Sequence, residues 1–411
     1  MTHRRPLAAT LPLALAAMMI PQAAHAQAAH ARADQWVPLW KASPQRVWND
    51  ENSFFETGLP AQIEETTVDQ PLTLALPSEN VRIEFSNRYG AGPLELADGT
   101  VRCLDEGAGK SIAPLTFAQS ARASAPAGTT ALSDPVSIDG CRRIAVRIRF
   151  AGEHGGDFHW DARETSRFVT ADGAEGTMTA RLALSAVYGD VEARGVVVAL
   201  GDSITDGNGA PVDAMARWPD YLAQDLAPQN IAVVNAGISG NRLLSPGMGE
   251  PVLERIASEV FALPRADTVV VLIGTNDIAW PGTPFRPDEP MVTLGALQDG
   301  VRSLIAQAEL HGTRMILSTI APFGDALPGT PMEGNYWTPE KDALRRAFNE
   351  WLRAHHGSAT LFDLDRLLAD PADPARLLPA YDSGDRLHPG AQGNRAMADA
   401  LMPLIQSGDR H

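Results

Sequence analysis

The chain has 411 residues and a formal net charge of −16, and 44% of its residues are hydrophobic. This length exceeds what one ordinary domain needs, and the apolar fraction is ample for buried cores, so we expect two folded domains rather than a disordered chain. So acidic a chain repels phosphate backbones and anionic lipid surfaces, which disfavours nucleic acids and membrane surfaces as partners.

Residues 1–26 are typical of a secretory signal peptide. Two arginines at positions 4 and 5 precede an apolar stretch over residues 7–20, and a small-x-small cleavage site ends at Ala26. The stretch contains a proline and is too short for a stable membrane span, although an uncleaved anchor is the alternative. We therefore expect a periplasmic or secreted protein without an integral membrane segment in its mature form, and an Ala-rich linker over residues 27–35.

Residues 36–190 have the pattern of a β-rich domain. The runs 81–85 and 144–150 alternate apolar with charged residues, and clusters of Gly, Pro, Asn and Asp separate such runs. Period-two alternation with turn residues in between predicts an antiparallel, β-sandwich-like domain. Its aromatic-rich opening, residues 36–55, is assigned to core packing and to packing against the next domain, with sugar stacking as the alternative.

The only two cysteines, Cys103 and Cys141, lie in this β-rich region. In an oxidising compartment they would form one structural disulfide, and two unpaired buried thiols are the alternative. Two cysteines without histidines at ligand spacing do not make a zinc site, so we expect no metal.

From residue 194 to about residue 408, strand patterns alternate with amphipathic helical patterns. The predicted strands are 196–200, 231–235, 268–273, 315–320 and 360–363. The predicted helices are 218–226, 251–261, 294–310, 339–354 and 391–405. Regular β–α alternation implies a parallel sheet with right-handed crossovers and helices on both faces, which is a three-layer, doubly wound α/β domain.

Chemically active residue types follow the ends of these strands. Gly-Asp-Ser at 201–203 ends the first strand, and Asn-Ala-Gly at 235–237 ends the second. Gly-Thr-Asn-Asp at 274–277 follows the third, and Asp-Arg-Leu-His at 385–388 follows the last. The carboxyl ends of parallel strands share one edge, where ligands bind, so these residues can converge. A hydroxyl, an imidazole, a carboxylate and oxyanion donors are the set that acyl transfer needs.

These four blocks, in this order, resemble the SGNH (GDSL-type) serine hydrolase superfamily, with isoleucine at position 204 where the family has leucine. The resemblance implies a flavodoxin-like catalytic domain over residues 194–408. It also implies Ser203 as the nucleophile, His388 as the general base and Asp385 as the carboxylate that orients the base. Asp382 is a nearby rival for this last role.

The same resemblance implies an oxyanion hole made of the backbone N–H groups of Ser203 and Gly237 and the side-chain amide of Asn276. Glycine lets the backbone approach a tetrahedral oxyanion, and an Asn amide donates without titrating. Three aromatic residues near these blocks are candidates to line the acyl or leaving-group pocket: Trp280, Tyr336 and Trp337.

The β-rich region resembles the accessory domain that precedes the catalytic domain in a bacterial, exported subset of these enzymes. It could bind a polymer, shape one wall of the active site or only stabilise the protein. We therefore expect an exported serine esterase for short acyl esters, in particular acetyl groups on carbohydrate, without a cofactor. The alternatives are a lipase-like or lysophospholipase-like carboxylesterase and a non-catalytic carbohydrate-binding protein that keeps the hydrolase fold. The sequence leaves the oligomeric state open.

Overall fold

A computed structural model describes residues 36–48, 55–105 and 112–407 of the protein. The predicted signal peptide and linker lie outside these described residues. Within them, none of the helices combines the length and the apolar character that a membrane span requires. From Trp36 onward the chain forms one compact unit, in which a β-rich region is followed by an α/β region.

The β-rich region ends at Gly189 and consists of short antiparallel strands. They are β1 (Val37–Lys41), β2 (Thr66–Thr73), β3 (Asn80–Asn87), β4 (Leu94–Cys103), β5 (Ile112–Pro114), β6 (Arg122–Ala125), β7 (Thr129–Leu132), β8 (Val136–Ser137), β9 (Arg143–Phe150), β10 (Phe158–His159), β11 (Ser166–Val169), β12 (Glu175–Met178), β13 (Arg181–Leu182) and β14 (Leu184–Gly189). One sheet has the order β1-β14-β3-β7 with β8 also on β3, and another has the order β12-β11-β2-β9-β4-β5 with β6 also on β4. β10 and β13 form a separate pair.

The inward faces of these two sheets share one hydrophobic cluster. Val68 and Ile148 from the second sheet belong to the same cluster as Ile83 and Phe85 from the first. Along β2, buried and half-buried residues alternate, because one face of the strand lies on the core and the other faces solvent. The antiparallel β-rich architecture predicted from the alternating runs is confirmed.

Cys103 and Cys141 are joined by a disulfide, with their Cα atoms 5.9 Å apart. Cys103 is the last residue of β4, and Cys141 precedes β9, which pairs with β4. The bond therefore fastens the ends of two neighbouring strands on the β-rich region.

The α/β region is built on a parallel sheet of five strands. They are β15 (Gly195–Gly201), β16 (Ile231–Gly237), β17 (Ala266–Leu272), β18 (Arg314–Ser318) and β19 (Thr360–Phe362). Their order in the sheet is β16-β15-β17-β18-β19, and every pairing is parallel. This is the flavodoxin-like strand order. The second strand is added on one side of β15 and the later strands on the other side, so the strand order reverses at β15. The predicted doubly wound fold is confirmed.

Helices cover both faces of this sheet. They are α1 (Ser203–Asp206), α2 (Trp218–Leu226), α3 (Val252–Ile256), α4 (Thr275–Ala279), α5 (Leu294–His311), α6 (Pro339–His355), α7 (Leu364–Leu368) and α8 (Ala391–Gln406). A 3₁₀ turn, Ala227–Gln229, follows α2, and the hairpin β20 (Ala369–Asp370) and β21 (Asp373–Leu377) follows α7. The single helix predicted over 251–261 is instead α3 continued by a π-helical turn, Ala257–Phe261, in which the Ala262 N–H bonds to Ala257 O.

The apolar run of β15 is buried on both faces. Val197 packs in a cluster with Trp218 of α2 and Leu401 of α8. Val196 and Val198, which point the other way, belong to the cluster that also contains the core of the β-rich region. The sheet of the α/β region and the β-rich region therefore share one apolar interior.

Candidate active site

Ser203 is the first residue of α1 and follows β15 after one intervening residue. Asp202 caps this short helix, because its Oδ1 accepts from the Ile204 N–H at 3.1 Å. Gly207 ends the helix with a φ of 110°, a left-handed conformation that favours glycine. The helix thus holds the Ser203 hydroxyl at the C-terminal edge of the parallel sheet, where α/β folds bind ligands.

His388 connects Ser203 to Asp385. Its Nε2 lies 2.8 Å from Ser203 Oγ, and its Nδ1 lies 2.6 Å from Asp385 Oδ2. Ser203 and His388 are each only 8% exposed, so both are largely shielded from bulk water. The side chains that the sequence singled out as nucleophile, base and orienting carboxylate form one hydrogen-bonded chain.

Asp385 contacts the imidazole ring, whereas Asp382 shapes the loop. Asp385 Oδ1 accepts from the backbone N–H groups of Leu387 and His388, at 2.9 and 2.8 Å. Asp382 accepts from two backbone N–H groups of the same loop, both at 2.9 Å. Burial alone would raise the pKa of Asp385, but the His388 ring and these N–H groups hold it well below its ordinary value. The carboxylate therefore stays ionised while it orients the ring.

The structure corrects the prediction for Gly237. Its N–H donates to Oδ1 of Asn235 at 2.8 Å, so this donor is already occupied. Gly237 is also absent from the lining of the cavity into which Ser203 opens. Glycine is required here for packing, since a Cβ would lie 2.4 Å from the backbone nitrogen of Asp206. The end of β16 thus rests directly on α1.

Gly240, three residues further along, lines the cavity instead. Its φ is 70°, and a Cβ would lie 2.4 Å from the Met248 sulfur and 2.8 Å from the Trp280 ring, so glycine is required. Its N–H has no hydrogen-bond partner among the residues that the structure describes. The Ser203 N–H also has no hydrogen-bond acceptor among the described residues. The first N–H groups of a helix usually have no acceptor within the helix. Two backbone donors therefore remain for a ligand.

Asn276, at the start of α4, completes this end of the cavity. Its Nδ2 donates to the Asn241 carbonyl at 2.9 Å, and its Oδ1 accepts from the Tyr336 hydroxyl at 2.8 Å. Burial raises the pKa of Tyr336, so the hydroxyl keeps its proton and donates. Hydrogen bonds therefore hold both the nitrogen and the oxygen of the Asn276 side-chain amide. The second hydrogen of Nδ2 remains available for a ligand.

The cavity has a volume of about 330 Å³. Its lining includes polar residues and one glycine, namely Ser203, Asn208, Ser239, Gly240, Asn276, Thr330 and His388. The rest is mainly aromatic or aliphatic, and Trp280 and Tyr336 line it as the sequence suggested. Trp337 does not line it and packs against the hydrophobic core, so that prediction is corrected.

The family model of the GDSL-like lipases and acylhydrolases matches residues 199–396. This part of the chain belongs to the GDSL-like family. The matched residues include Ser203, Asn276 and His388 and leave out the β-rich region. No similar sequence was found among curated proteins.

Three of the solved structures that resemble part of this chain are esterases or lipases by name. An acetyl xylan esterase is 21% identical, with a TM-score of 0.37, and the match covers 51% of this chain and 99% of that one. A variant of an acetyl-xylooligosaccharide esterase from Geobacillus Stearmophilus is 23% identical, with a TM-score of 0.36 and coverages of 52% and 95%. A GDSL-like lipase from Bacteroides thetaiotaomicron VPI-5482 is 18% identical, with a TM-score of 0.38 and coverages of 52% and 88%.

Two residues that sequence reasoning did not assign to the site come from outside the GDSL-like region. Phe55 and Trp160 line the cavity, and their rings lie 5.0 Å apart. Phe55 also lies 5.7 Å from Phe285, whose ring lies 4.8 Å from Trp280. An aromatic wall therefore crosses from the β-rich region into the GDSL-like hydrolase region. No local motif marks these residues, because only the packing of the two regions brings them to the site.

Proposed function

We propose that the protein is a serine esterase that cleaves short acyl esters through an acyl-enzyme intermediate on Ser203. The observation that carries this proposal is the hydrogen-bonded chain from Ser203 through His388 to Asp385, which opens into a cavity with unpaired donors. An imidazole whose Nδ1 is held by a carboxylate has Nε2 free to accept a proton from a serine hydroxyl.

In the proposed reaction, Ser203 Oγ attacks the ester carbonyl carbon while His388 Nε2 takes the hydroxyl proton. The tetrahedral intermediate then expels the alcohol, which receives that proton from His388, and the acyl group stays on Ser203. Water, deprotonated by His388, attacks the acyl carbon, and the second tetrahedral intermediate then releases the carboxylic acid while His388 returns the proton to Ser203 Oγ. Asp385 orients the ring and stabilises the imidazolium throughout.

We propose that the Ser203 N–H, the Gly240 N–H and Nδ2 of Asn276 stabilise the oxyanion of both tetrahedral intermediates. All three residues line the cavity, and each offers a donor hydrogen without another partner among the described residues. Donors fixed before the reaction stabilise developing charge without reorganisation, and one such donor contributes roughly 100- to 1000-fold in rate.

For the substrate, we propose acetyl-type esters of carbohydrate. The cavity is far larger than an acetyl group needs, so part of the alcohol half would also lie in it. Trp160 offers aromatic surface against which the apolar face of a sugar ring packs well. The second candidate is a lipase-like or lysophospholipase-like carboxylesterase, which the apolar lining by Met248, Phe285 and Met332 favours.

The test is hydrolysis of acetylated polysaccharides and of p-nitrophenyl esters from acetate to decanoate, by wild type and Ser203→Ala. We expect activity on acetyl esters that falls steeply beyond butyrate and that Ser203→Ala abolishes. Activity that rises with chain length would replace the carbohydrate proposal with the lipase-like one. Absence of any activity dependent on Ser203, together with binding of the polysaccharides, would support a carbohydrate-binding protein instead.

We also propose that the protein is exported after cleavage near Ala26. The support is the arginine pair, apolar stretch and small-x-small site of the N-terminus. Expression of the full chain in a Gram-negative host, followed by fractionation and N-terminal sequencing, tests this. A cytoplasmic protein that still begins at the initiator methionine would contradict it.

A further inference from the structure

His159 of the β-rich region contacts its own region with one ring nitrogen and the GDSL-like region with the other. It lies on β10, which pairs with β13, and is only 3% exposed. Nδ1 lies 3.0 Å from the Ser43 carbonyl oxygen, and Nε2 lies 2.9 Å from Oδ1 of Asp206. Because carbonyl and carboxylate oxygens accept, both ring nitrogens donate, Nδ1 to Ser43 and Nε2 to Asp206, and together these bonds fix the ring plane.

Asp206 connects this ring to the loop that carries Gly240. Asp206 is the last residue of α1, three positions after Ser203, and is 1% exposed. Its Oδ2 accepts from both the backbone N–H and the hydroxyl of Ser239, at 2.9 and 2.6 Å. We call residues 238–241 the oxyanion loop, because Gly240 lies in it and Asn276 donates to its last residue.

We propose that His159 is a positioning residue that fixes the oxyanion loop through Asp206. The inference rests on the proposed function, since the loop has a catalytic role only if Gly240 binds the oxyanion. Without the His159 contact, the buried Asp206 carboxylate loses the hydrogen-bond donor to its Oδ1. The carboxylate can then rotate about its side-chain bonds, and Ser239 and the neighbouring Gly240, which it holds in place, can move with it. The β-rich region thereby takes part in catalysis through a hydrogen bond and not through contact with substrate.

Glutamine and asparagine separate the two contacts of the ring. The amide nitrogen of glutamine lies near the position of histidine Nε2, so His159→Gln keeps the donor toward Asp206. The amide nitrogen of asparagine lies near the position of Nδ1, so His159→Asn keeps the anchor to Ser43 and loses the contact with Asp206. The pair therefore distinguishes positioning of Asp206 from general support of the fold.

The experiment measures kcat and KM on p-nitrophenyl acetate for wild type and for His159→Ala, His159→Asn and His159→Gln. We expect kcat to fall about 10- to 100-fold in the Ala and Asn variants, the scale of one charge-assisted hydrogen bond, with KM within about threefold. His159→Gln is expected to lose less than about threefold in kcat. His154→Ala, in the same region but outside the cavity lining, is the matched control and keeps wild-type kinetics.

Melting temperature and near-UV circular dichroism show which variants fold. If His159→Ala does not fold, the comparison of His159→Asn with His159→Gln decides. Each of these variants keeps one of the two hydrogen bonds of the histidine ring. Equal kcat in wild type and all folded variants overturns the inference and leaves the esterase proposal intact. Equal losses in the Asn and Gln variants also overturn it, because the contact with Asp206 would then be irrelevant. A wild type without hydrolysis that Ser203→Ala abolishes defeats the proposed function itself, and the inference with it.

Discussion

Lys41 Nζ lies 2.8 Å from Oε2 of Glu259, and both side chains are almost completely buried. Lys41 belongs to β1 of the β-rich region, and Glu259 belongs to the π-helical turn after α3. Ser43 and Arg88, also from the β-rich region, donate to the same carboxylate at 2.8 and 3.1 Å. A buried carboxylate is stable only while cationic and hydrogen-bonding partners compensate its charge. Each of the two regions therefore supplies charged groups that compensate buried charges of the other.

We expect Glu259→Gln to destabilise the protein by about 3–5 kcal/mol, because it leaves Lys41 buried without its counter-charge. Burial would raise the pKa of Glu259, but Lys41, Arg255 and Arg88 lower it from 4.5 to about 2. A depressed pKa means that this stabilisation is complete above pH 4.5 and is lost as the pH falls toward 2. Denaturant unfolding of both proteins between pH 2 and 7 measures the difference, which is expected to shrink with acid.

Glu254→Gln is the control for this experiment, because Glu254 lies exposed on neighbouring α3. We expect its stability to stay within about 0.5 kcal/mol of wild type. If Glu259→Gln were as harmless as this control, the buried ion pair would not hold the two regions together.

Asp202→Asn is expected to stabilise the protein at neutral pH. Burial raises the pKa of Asp202 from 3.8 to about 7, so the folded protein disfavours its charged form. The favourable contribution of the protonated carboxyl is complete below pH 3.8 and is lost as the pH rises to about 7. Asparagine is neutral and still accepts from the Ile204 N–H, so the helix cap survives. Melting curves at pH 4 and pH 8 test this, and a larger gain at pH 4 would contradict it.

Tyr336→Phe is expected to lower kcat by about 3- to 10-fold with little change in KM. The substitution keeps the ring but removes the hydroxyl that fixes the amide of Asn276. Asn276→Ala, which removes the donor itself, is expected to lose about 100- to 1000-fold. Steady-state kinetics on an acetyl ester measure both, with Trp337→Phe as the control, since Trp337 packs in the core beside the site. A Tyr336→Phe enzyme with wild-type kcat would show that the amide is held without this hydroxyl.

Removal of the Cys103–Cys141 disulfide is expected to cost stability but not activity. The bond closes a loop with a sequence separation of 38, for which chain entropy gives about 4 kcal/mol. Neither cysteine lines the cavity. Denaturant unfolding of the Cys103→Ala/Cys141→Ala variant, and esterase assays well below its melting temperature, test the two parts separately. A large loss of kcat in the folded variant would contradict the prediction that the disulfide does not affect the active site.

The alternation of strand and helix patterns in the sequence predicted the parallel sheet and the bounds of α2. Hydrophobic periodicity and helix capping are local signals, so they can be recognised without the rest of the fold. Ser203 follows a parallel strand and was predicted to lie at this edge for that reason, whereas α7 and the hairpin of β20 and β21 separate His388 from β19, so its position beside Ser203 was implied by the family resemblance. Choosing between Gly237 and Gly240 was not possible in this way. Gly237 ends β16 and Gly240 lies three residues beyond it, and only the hydrogen bond from the Gly237 N–H to the Asn235 side chain decides which donor stays unpaired.

The contributions of Phe55, His159 and Trp160 could not be predicted for a different reason. Their sequence surroundings are those of ordinary β strands and loops, and their neighbours in the site lie tens to hundreds of residues away along the chain. Trp160 differs little in local pattern from Trp48, whose ring lies 5.5 Å from it without lining the cavity. Such assignments depend on how two regions pack, which composition and periodicity do not encode.

The apolar cluster behind β15 continues without a break into the β-rich region. Among the described residues, this cluster leaves no boundary at which the two regions could be separated with each keeping a closed interior. Heating is expected to melt both regions in a single cooperative transition, and an exchange of either region for a distant counterpart would need matching changes on the other side. Substitutions in this shared interior are therefore expected to change the stability of both regions together.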